Sequence, residues 1–429
     1  MSTDTARAGA ARISERMIEA ATDAVTEVLA LREAADGVLS RFFRARKDLG
    51  MSERAFVAET VYAILRRRRT LEHRLEGRVS PRRLVLAALA VLSGVGVRSL
   101  GEILGERNVR FLAALRSQPA VPMTPAERAD LPDWLYERLR ERLGEEEVER
   151  LARGLNEAAA LDLRVNPLKA GRDEVIARLH SEGIAAEAGR YSPLAIRLKT
   201  KPSLARHPLY LGGAIEVQDE GSQLVAFLLR ARRGEMVADF CAGAGGKTLL
   251  IGALMRSEGR LYAFDVSDRR LARLRTRVAR AGLTNVHPVC IARENDARIK
   301  RLAGKLDRVL VDAPCSGLGT LRRNPDLKWR QTPQSVAELA LKQRAILASA
   351  SRLVKPGGRL VYATCSLLPE ENEDVVSEFL AAHGEFRTVP AAGVLAGQGM
   401  GPDTGEVLRL VPHVHGTDAF YAVVMERSA

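Results

Sequence analysis

The stretch "DFCAGAGGKT", Asp239 to Thr248, decides how the C-terminal half of this chain folds. An apolar run, "MVADF", leads into it, and a second apolar run, "LLIGALM", leads out of it. This order predicts a buried strand, a glycine-rich turn and a helix. Gly243, Gly245 and Gly246 leave room for a ligand to lie against the backbone, where the free N–H groups of the helix N-terminus also point. A plain tight turn is the alternative, but such a turn would not need three glycines.

Counting weakens two familiar interpretations of the turn. A phosphate-binding loop requires a glycine at the position where this chain has Cys241. A dinucleotide fingerprint requires the spacing G-x-G-x-x-G, and Thr248 stands in place of its third glycine. The turn alone therefore leaves its ligand open.

The rest of the C-terminal half alternates between strand-like and helix-like runs. The predicted strands after "MVADFCA" are "RLYAFDV", "VHPVCI", "LDRVLVDAP", "GRLVYATCS", "EVLRLVPHV" and "AFYAVVM". The predicted helices are "KTLLIGALM", "RRLARLRTRVARAGL", "VAELALKQRAILASASRLV" and "NEDVVSEFLAAH". This alternation predicts an α/β fold with a mostly parallel, doubly wound sheet.

Several reactive side chains follow the carboxyl ends of these strands, where such sheets bind their ligands. Asp265 lies about 20 residues after the glycine-rich turn, a spacing that suits a carboxylate accepting hydrogen bonds from ribose hydroxyls. Asp296 follows the third strand, Asp312 and Cys315 end the fourth, and Cys365 ends the fifth. A free cysteine is usually a small buried residue. Two cysteines beside an aspartate at adjacent strand ends instead favour a reactive site.

Composition limits the class of protein. The chain has 429 residues, 46% hydrophobic content and a net charge of +13. This charge favours a polyanionic partner, most simply nucleic acid, and a charge kept for solubility is the equal alternative when the charge is taken alone. Its four cysteines form no CxxC pair, so neither a metal site nor a disulfide framework is predicted. The N-terminus is polar, and no apolar run approaches the roughly 20 residues that span a bilayer. We expect a cytoplasmic monomer without a membrane partner.

The sequence suggests three consecutive parts. Residues 1–130 are predicted to be helical, residues 131–230 to form a linker and a small α+β segment, and residues 231–429 to form the α/β domain. The proline-rich run "SQPAVPMTPAERADLP", residues 117–132, is predicted to be a linker. The run "RRRR", Arg66 to Arg69, either contacts nucleic acid or is partly a solvated helix face.

Three motifs together, "FCAGAGGKT", "DAPCSGLGTLRRNPDLKW" and "YATCSLLPEENE", resemble those of the Nop/Sun-type RNA cytosine-5 methyltransferases. The resemblance runs from Ile215 to Arg427 and is nearest to the bacterial Sun-type branch, which acts on 16S ribosomal RNA and carries an N-terminal NusB-like helical domain. It implies a class I, Rossmann-like methyltransferase sheet. It further implies S-adenosylmethionine as the cofactor, RNA as the partner and a NusB-like domain over residues 1–130.

The resemblance also implies a role for each site residue. Asp265 would hold the ribose of S-adenosylmethionine, and Asp296 would sit by its adenine. Asp312 would lie near the methionine end and the target base, and Lys247 would reach both that aspartate and the base. Ala244 replaces a proline of the family, which we expect to loosen the loop and weaken cofactor affinity. The implied cofactor loop comprises Cys241, Ala242, Gly243, Ala244, Gly245, Gly246 and Lys247.

Methylation at C5 of cytosine needs a thiolate, because C5 becomes nucleophilic only after a nucleophile adds to C6. By the family pattern Cys365 is that nucleophile and Cys315 assists release of the product. Pro369 and Glu370 predict the start of a helix just after Cys365, whose dipole would lower the pKa of the thiol. Asp312 is placed to protonate N3 of the ring if a dry pocket raises its pKa.

Spacing alone does not decide which cysteine attacks. DNA cytosine-5 methyltransferases carry the nucleophile in their Pro-Cys motif, which would be Cys315, whereas the additional cysteine in "TCS" favours the RNA family. Amino-methyltransferases carry an aromatic residue after Pro-Pro, and this chain has Ala313-Pro314-Cys315 instead. Three further alternatives remain: transfer RNA as the substrate, a non-catalytic RNA-binding assembly factor, and an ATPase, which the missing glycine disfavours.

The segment "LRRNPDLKWR", Leu321 to Arg330, combines basic residues with Trp329. Such a mixture suits phosphate contact and base stacking. A solvated loop with a packed tryptophan is the equal alternative.

Overall fold

The computed structural model describes residues 13–93, 103–117, 122–402 and 404–429. The chain divides into two compact units. The helical unit contains the residues up to Glu157 together with Leu321–Thr332, and the sheet unit contains Ala158–Thr320 together with Pro333–Ala429. The chain therefore leaves the sheet unit for twelve residues and then returns to it.

The described helices are spread over both units. In chain order they are α1 (Glu15–Val28), α2 (Ala35–Ala45), α3 (Met51–Arg66), α4 (Arg68–Arg74), α5 (Pro81–Ala87), α6 (Glu106–Ser117), α7 (Pro125–Arg128), α8 (Asp133–Leu143), α9 (Glu145–Asn156), α10 (Arg172–Ser181), α11 (Pro208–Leu211), α12 (Glu220–Leu228), α13 (Gly246–Leu254), α14 (Asp268–Ala281), α15 (Ala297–Lys300), α16 (Leu327–Arg330), α17 (Pro333–Ser351), α18 (Glu373–Ala382), α19 (Ala391–Ala396) and α20 (Pro412–His415). A π-helical stretch, Ala88–Leu92, continues α5, and two 3₁₀ turns cover Leu318–Thr320 and Pro369–Glu371.

All described strands lie in the sheet unit. They are β1 (Leu161–Val165), β2 (Ala186–Ala188), β3 (Ala195–Leu198), β4 (Ile215–Val217), β5 (Met236–Asp239), β6 (Arg260–Asp265), β7 (Val286–Cys290), β8 (Leu306–Asp312), β9 (Val354–Thr364), β10 (Phe386–Val389), β11 (Leu408–Leu410) and β12 (Phe420–Arg427).

The helical unit forms because its helices are amphipathic and bury one face each. The buried faces of α1, α2, α3 and α5 share one apolar core. Ser14 caps α1 by accepting a hydrogen bond from the Met17 N–H. Thr124 and Glu127 form a capping box at α7, with the Thr124 N–H donating to the glutamate at 2.8 Å. Local sequence signals therefore explain both the helices and where several of them begin.

Residues 122–132 do not form the linker that their prolines suggest. Residues 118–121 of the same proline-rich run lie outside the described part of the chain. Asp130 is fully buried, and its carboxylate accepts hydrogen bonds from the N–H and the hydroxyl of Thr70 at 2.9 and 2.7 Å. Leu131 is buried as well. The described stretch packs inside the helical unit, because its turn residues cap α7 and fix α4 instead of leading away from the fold.

The segment Leu321–Thr332 supplies buried side chains to the helical unit. Lys328 is 1% exposed, and its ammonium donates to the carbonyl of Arg66 at 2.9 Å and to Asn156 Oδ1 at 2.8 Å. The indole N–H of Trp329 donates to the carbonyl of Leu65 at 2.7 Å. The tryptophan is packed, as one of the two interpretations expects, but the lysine is buried and bonded and is therefore not placed to contact RNA phosphates.

The arginine run is also bonded within this unit. Arg66 donates to the carbonyl of Arg322 at 3.1 Å, and the guanidinium of Arg68 lies 5.3 Å from the Trp329 ring centre. Arg67 pairs with Asp130 at 3.4 Å. Much of the charge in the run therefore has a structural partner.

Two sheets make up the sheet unit. The small sheet has the order β2-β3-β1-β4 with antiparallel pairing, and α10 packs its Val175 and Leu179 into the same core as Leu163 and Ile196. The large sheet has the order β10-β12-β9-β8-β5-β6-β7, and β11 pairs with β12. Strands β9, β8, β5, β6 and β7 are parallel, and the C-terminal strands are antiparallel to them.

The large sheet is covered by helices on both faces. Val237 and Val361 point into one core with α12, α13, α14 and α19, and their neighbours Ala238 and Tyr362 point into a second core with α17 and α18. This confirms the doubly wound α/β fold. The predicted run "EVLRLVPHV" is strand only over Leu408–Leu410, because Pro412 begins a short helix.

In the described part of the chain, every helix is too short or too polar to cross a bilayer. That part also contains no cluster of His, Cys, Asp and Glu arranged to hold a metal ion.

Lys328 predicts a pH dependence for the helical unit. Burial lowers the pKa of Lys328 to about 7, whereas an unfolded lysine titrates near about 10.4. Between these values the unfolded chain binds more protons, so the free energy of unfolding rises with pH, by at most about 1.4 kcal/mol per pH unit. Replacing Lys328 with Met removes this contribution. The stability of wild type relative to Lys328→Met should therefore rise from about pH 7 to about pH 9.5.

Both tryptophans, Trp134 and Trp329, lie in the helical unit, so urea unfolding followed by tryptophan fluorescence measures this unit. Lys47→Met, at an exposed lysine of the same unit, is the control and should run parallel to wild type at every pH. Parallel curves for Lys328→Met as well would contradict the prediction.

Candidate active site

The carboxyl ends of β5, β6, β7 and β8 border a cavity of about 500 Å³. Parallel strands end at the same sheet edge, so side chains that are distant in sequence meet there. The lining residues are Phe240, Cys241, Asp265, Val266, Ser267, Arg270, Ile291, Glu294, Asp312, Pro314, Lys342 and Ile346.

Asp265 is fixed at the end of β6 by backbone donors. The Gly243 N–H donates to its Oδ2 at 2.9 Å, and the Ser267 N–H donates to its Oδ1 at 2.8 Å. The side chain is 6% exposed and lines the cavity. Each carboxylate oxygen keeps a further lone pair for a ligand hydroxyl.

The glycine-rich turn has the backbone shape that its composition predicts. Gly243 and Gly245 adopt φ values of +57° and +90°. A Cβ on Gly245 would lie 2.1 Å from the side chain of Leu274 on α14. Both the positive φ and the lack of space therefore require glycine at this position. Helix α13 begins at Gly246, directly after the turn.

Two arginines brace this turn from outside. Arg277 Nη1 donates to the carbonyl of Ala244 at 2.7 Å, and Arg164 Nη1 donates to the carbonyl of Gly246 at 2.6 Å. Glu216 orients Arg277 by accepting from its Nη2 at 2.9 Å. These charge-assisted bonds hold the loop at and near Ala244, the residue that replaces the proline of the family. Hydrogen bonds from neighbouring side chains therefore restrict the backbone here, whereas a proline would restrict it through its ring.

Lys247, which is buried, forms an ion pair with the partly exposed Asp312. Lys247 Nζ donates to Asp312 Oδ2 at 2.7 Å, and the ammonium lies 5.1 Å from the Phe420 ring centre. Burial lowers the pKa of Lys247, but the charge of Asp312 and the hydrogen bond to it outweigh burial, so the pKa is raised overall. The lysine therefore keeps its proton, and its charge is held at the strand-end aspartate.

The two strand-end cysteines lie side by side. Cys315 Sγ and Cys365 Sγ are 3.4 Å apart, and both residues are partly exposed. The hydrogen bond with Cys365 and burial raise the pKa of the Cys315 thiol well above its ordinary value. A negative charge on Cys365 is among the interactions that raise the pKa of Lys247, so this ammonium is within electrostatic reach of the Cys365 sulfur.

The predicted helix start just after Cys365 is wrong. Pro369–Glu371 form a single 3₁₀ turn, and α18 begins only at Glu373. The residue between them, Asn372, is far from helical, with φ −115° and ψ −95°. The Lys247 ammonium is a positive group that interacts electrostatically with Cys365.

Asp296 is occupied within its own loop. Its carboxylate accepts from the Ala292 N–H at 3.0 Å, from the Arg298 N–H at 2.9 Å and from the Arg298 guanidinium at 2.9 and 2.8 Å. The hydrogen bonds from Arg298 hold the pKa of this carboxyl far below its usual range. Asp296 caps α15, and Glu294, two residues earlier, is the acidic side chain of this loop that lines the cavity.

Sequence reasoning missed four polar cavity residues: Ser267, Arg270, Glu294 and Lys342. Ser267 and Arg270 lie two and five residues after Asp265 and could be found by following the sequence beyond the end of that strand. Lys342 lies in the middle of α17, where no strand-end signal exists.

Comparison with known proteins gives matches over most of the chain. The family model described as 16S rRNA methyltransferase RsmB/F matches residues 226–426, and that of the RsmF/B-like ferredoxin-like domain matches residues 131–205. The "Probable ribosomal RNA small subunit methyltransferase B" of Synechocystis sp. is 34% identical over 416 residues, which cover 89% of this chain and 93% of that protein. Ribosomal RNA small subunit methyltransferase B of Sodalis glossinidius is 39% identical over 272 residues, 62% of each chain.

Solved structures share the fold. The crystal structure of PH0851 superposes with a TM-score of 0.79 at 27% identity and covers 97% of this chain and 99% of its own. NSun6 from Pyrococcus horikoshii with SFG superposes with a TM-score of 0.61 at 22% identity, over 70% of this chain and 98% of its own, which shows a common fold.

S-adenosylmethionine is the cofactor of these methyltransferases, and the cavity fits it. Asp265 offers acceptor oxygens for ribose hydroxyls, and Val266 and Ile291 offer apolar surface for a flat base. Asp312 and Glu294 bring negative charge, which suits a sulfonium and an amino group. The glycine-rich turn leaves its backbone open to the amino-acid end.

The arginine braces predict an effect on cofactor affinity. Arg277→Met removes the donor to Ala244 and loosens the turn, so the Kd for S-adenosylmethionine should rise about tenfold, equivalent to about 1.4 kcal/mol. Isothermal titration with the full chain measures it. Arg275→Met, at an exposed arginine of the same helix that pairs with Asp268 at 3.4 Å, should bind like wild type. An unchanged Kd in Arg277→Met would show that the brace does not shape the cofactor site.

Proposed function

This chain belongs to the RsmB/F family of 16S ribosomal RNA methyltransferases, and we propose that it methylates C5 of a cytosine in that RNA through a covalent adduct between Cys365 and C6. The observation that carries this proposal is the pair of thiols 3.4 Å apart at the ends of β8 and β9. A methyltransferase that acts on nitrogen or oxygen has no use for two adjacent thiols. Methylation at carbon needs one thiol to add and a second group to remove the C5 proton.

Cys365 is the better nucleophile of the two. Its sulfur lies within electrostatic reach of the Lys247 ammonium. Cys315 is held as a thiol by its hydrogen bond, by burial and by the charge of Glu371. These surroundings support the assignment of Cys365 as the nucleophile and Cys315 as the group that assists release of the product.

The first step forms the bond between Cys365 Sγ and C6 of the target cytosine. The electron pair of the C5–C6 double bond moves toward N3, which needs a proton or a hydrogen-bond donor. Within the Lys247–Asp312 pair, the ammonium is the group that carries protons, so we assign donation toward the ring to this pair and not to Asp312 acting alone. Asp312 then accepts from the exocyclic amino group of the base.

The second half of the reaction restores the aromatic ring. S-adenosylmethionine, when bound, supplies the methyl group that C5 takes. Cys315 first releases its own proton to solvent water and then, as a thiolate, takes the proton from C5. The C5–C6 double bond re-forms, Cys365 leaves as a thiolate, and the proton received at N3 returns to the Lys247–Asp312 pair. The thiol separation of 3.4 Å allows both sulfurs to address adjacent ring carbons. The base must be turned out of any stack to reach them.

The two cysteines predict different failures. Cys365→Ala should abolish transfer of labelled methyl from S-adenosylmethionine to RNA, because no adduct forms. Cys315→Ala should accumulate a stable protein–RNA adduct, visible as a shifted band on a denaturing gel, because the C5 proton is not removed. Cys290→Ala, at a third partly exposed cysteine, which ends β7, is the matched control and should behave like wild type.

The substrate is tested with 16S ribosomal RNA from cells that lack this activity, supplied naked and as small-subunit particles. The label should be recovered as 5-methylcytidine. Label on transfer RNA alone would reassign the substrate. Cofactor binding without label on any RNA or particle would contradict the enzyme and favour an assembly factor.

A further inference from the structure

A buried carboxylate, Glu371, lies behind the two cysteines. It is fully buried, and each of its oxygens accepts two hydrogen bonds. Oε1 accepts from the Ser316 N–H at 2.8 Å and from Gln343 Nε2 at 3.0 Å. Oε2 accepts from the Ser316 hydroxyl at 2.5 Å and from the Ser366 hydroxyl. We call Glu371, Ser316, Ser366 and Gln343 the carboxylate clamp.

The clamp joins the two cysteine motifs. Ser316 directly follows Cys315, and Ser366 directly follows Cys365. The two serine hydroxyls also lie 3.2 Å from each other. One carboxylate therefore bonds the residue after each thiol, and a shift of either loop would break bonds to the same group.

Further hydrogen bonds hold the residues of the clamp in place. The Tyr362 hydroxyl donates to the carbonyl of Glu371 at 2.6 Å, and the side-chain N–H of Asn372 donates to the carbonyl of Ser366 at 3.2 Å. Gln343 also donates to the carbonyl of Pro314, the residue before Cys315, at 2.9 Å. The clamp is thus anchored on β9 and α17, which are rigid elements of the sheet unit.

The clamp is costly as a device for stability alone. Removing a carboxylate from water costs several kcal/mol, and the four donors on Glu371 are neutral groups rather than a cation. Apolar side chains of the same volume would often hold a core equally well. Hydrogen bonds to a charged acceptor are short and directional, so they fix geometry where apolar packing would allow drift.

From this geometry we propose that Glu371 is a positioning residue that holds the Cys315 and Cys365 thiols side by side. The proposal rests on the proposed function for its catalytic meaning. Glu371 touches neither cofactor nor base, and it acts through Ser316 and Ser366. Its loss leaves the cofactor cavity intact but lets the two sulfurs drift apart.

The proximity of the thiols is measured without RNA. The full chain is equilibrated with oxidised and reduced dithiothreitol: Cys315 and Cys365 lose two protons and two electrons to form a disulfide, and one oxidised dithiothreitol is reduced to its dithiol. Peptide mapping by mass spectrometry identifies the bond. The equilibrium constant gives the effective concentration of one thiol at the other.

Glu371→Gln should lower this effective concentration about tenfold or more, because small displacements of reacting groups have large effects. Ser366→Ala removes one donor from the clamp and should lower it by a smaller factor. Val375→Ala truncates a buried side chain of α18 in the same core without touching the clamp, and it should match wild type even though it is less stable. If Glu371→Gln does not fold, Ser366→Ala decides; an unchanged effective concentration in the folded variants overturns the proposal.

Methyl transfer gives a second, separate readout. In Glu371→Gln, kcat should fall about tenfold or more while the KM for S-adenosylmethionine stays unchanged. A rise in that KM with unchanged kcat would contradict a positioning role. If wild type transfers no methyl group, the proposed function fails, yet the thiol equilibrium still tests the clamp by itself.

Discussion

The parallel pairing of β8 with β9 is the constraint on which the site depends. Its register sets Asp312 opposite Ala363, so the loops that carry Cys315 and Cys365 leave the sheet at one edge. Gly319 then closes the first loop over the second, because its N–H donates to the carbonyl of Cys365 at 2.8 Å. A Cβ on Gly319 would lie 2.7 Å from that oxygen. Only glycine allows this approach, and without it the thiols would not share one wall of the site.

The charged groups near the glycine-rich turn place the Lys247 ammonium beside Asp312 and within electrostatic reach of Cys365. Burial raises the pKa of Asp239 to about 7, and the nearby charge of Asp312 adds to the rise. Asp239 accepts a hydrogen bond from the Thr248 hydroxyl at 2.6 Å. Lys247 interacts with Asp239 through space, but its hydrogen bond, at 2.7 Å, goes to Asp312.

Features set by local periodicity are predictable from the sequence, whereas features that depend on distant partners are not. Alternating apolar runs give the strands, and their ends give Asp265, Asp312 and both cysteines, because parallel strands share a ligand-binding edge. Lys328 belongs to a basic run that suggests a solvated or RNA-binding loop, yet its partners, at positions 66 and 156, are far away in sequence. Glu371 sits in a helix-start pattern, and nothing local shows that its carboxylate turns inward to both cysteine loops.

The path of the chain connects the thiol site to the helical unit. Residues 316–320 continue from Cys315 directly into Leu321–Thr332, whose Lys328 and Trp329 are bonded inside the helical unit. A chain that began at Ala158 would lack Leu65 and Asn156. The indole of Trp329 and the ammonium of Lys328, which follow the Cys315 loop, would then be exposed without these hydrogen-bond partners. Of the three domains proposed from the sequence, 1–130 lies within the helical unit, whereas 131–230 and 231–429 cross the boundaries of the two units, as does the ferredoxin-like match at 131–205. The helical unit therefore buries the segment that follows the Cys315 loop along the chain.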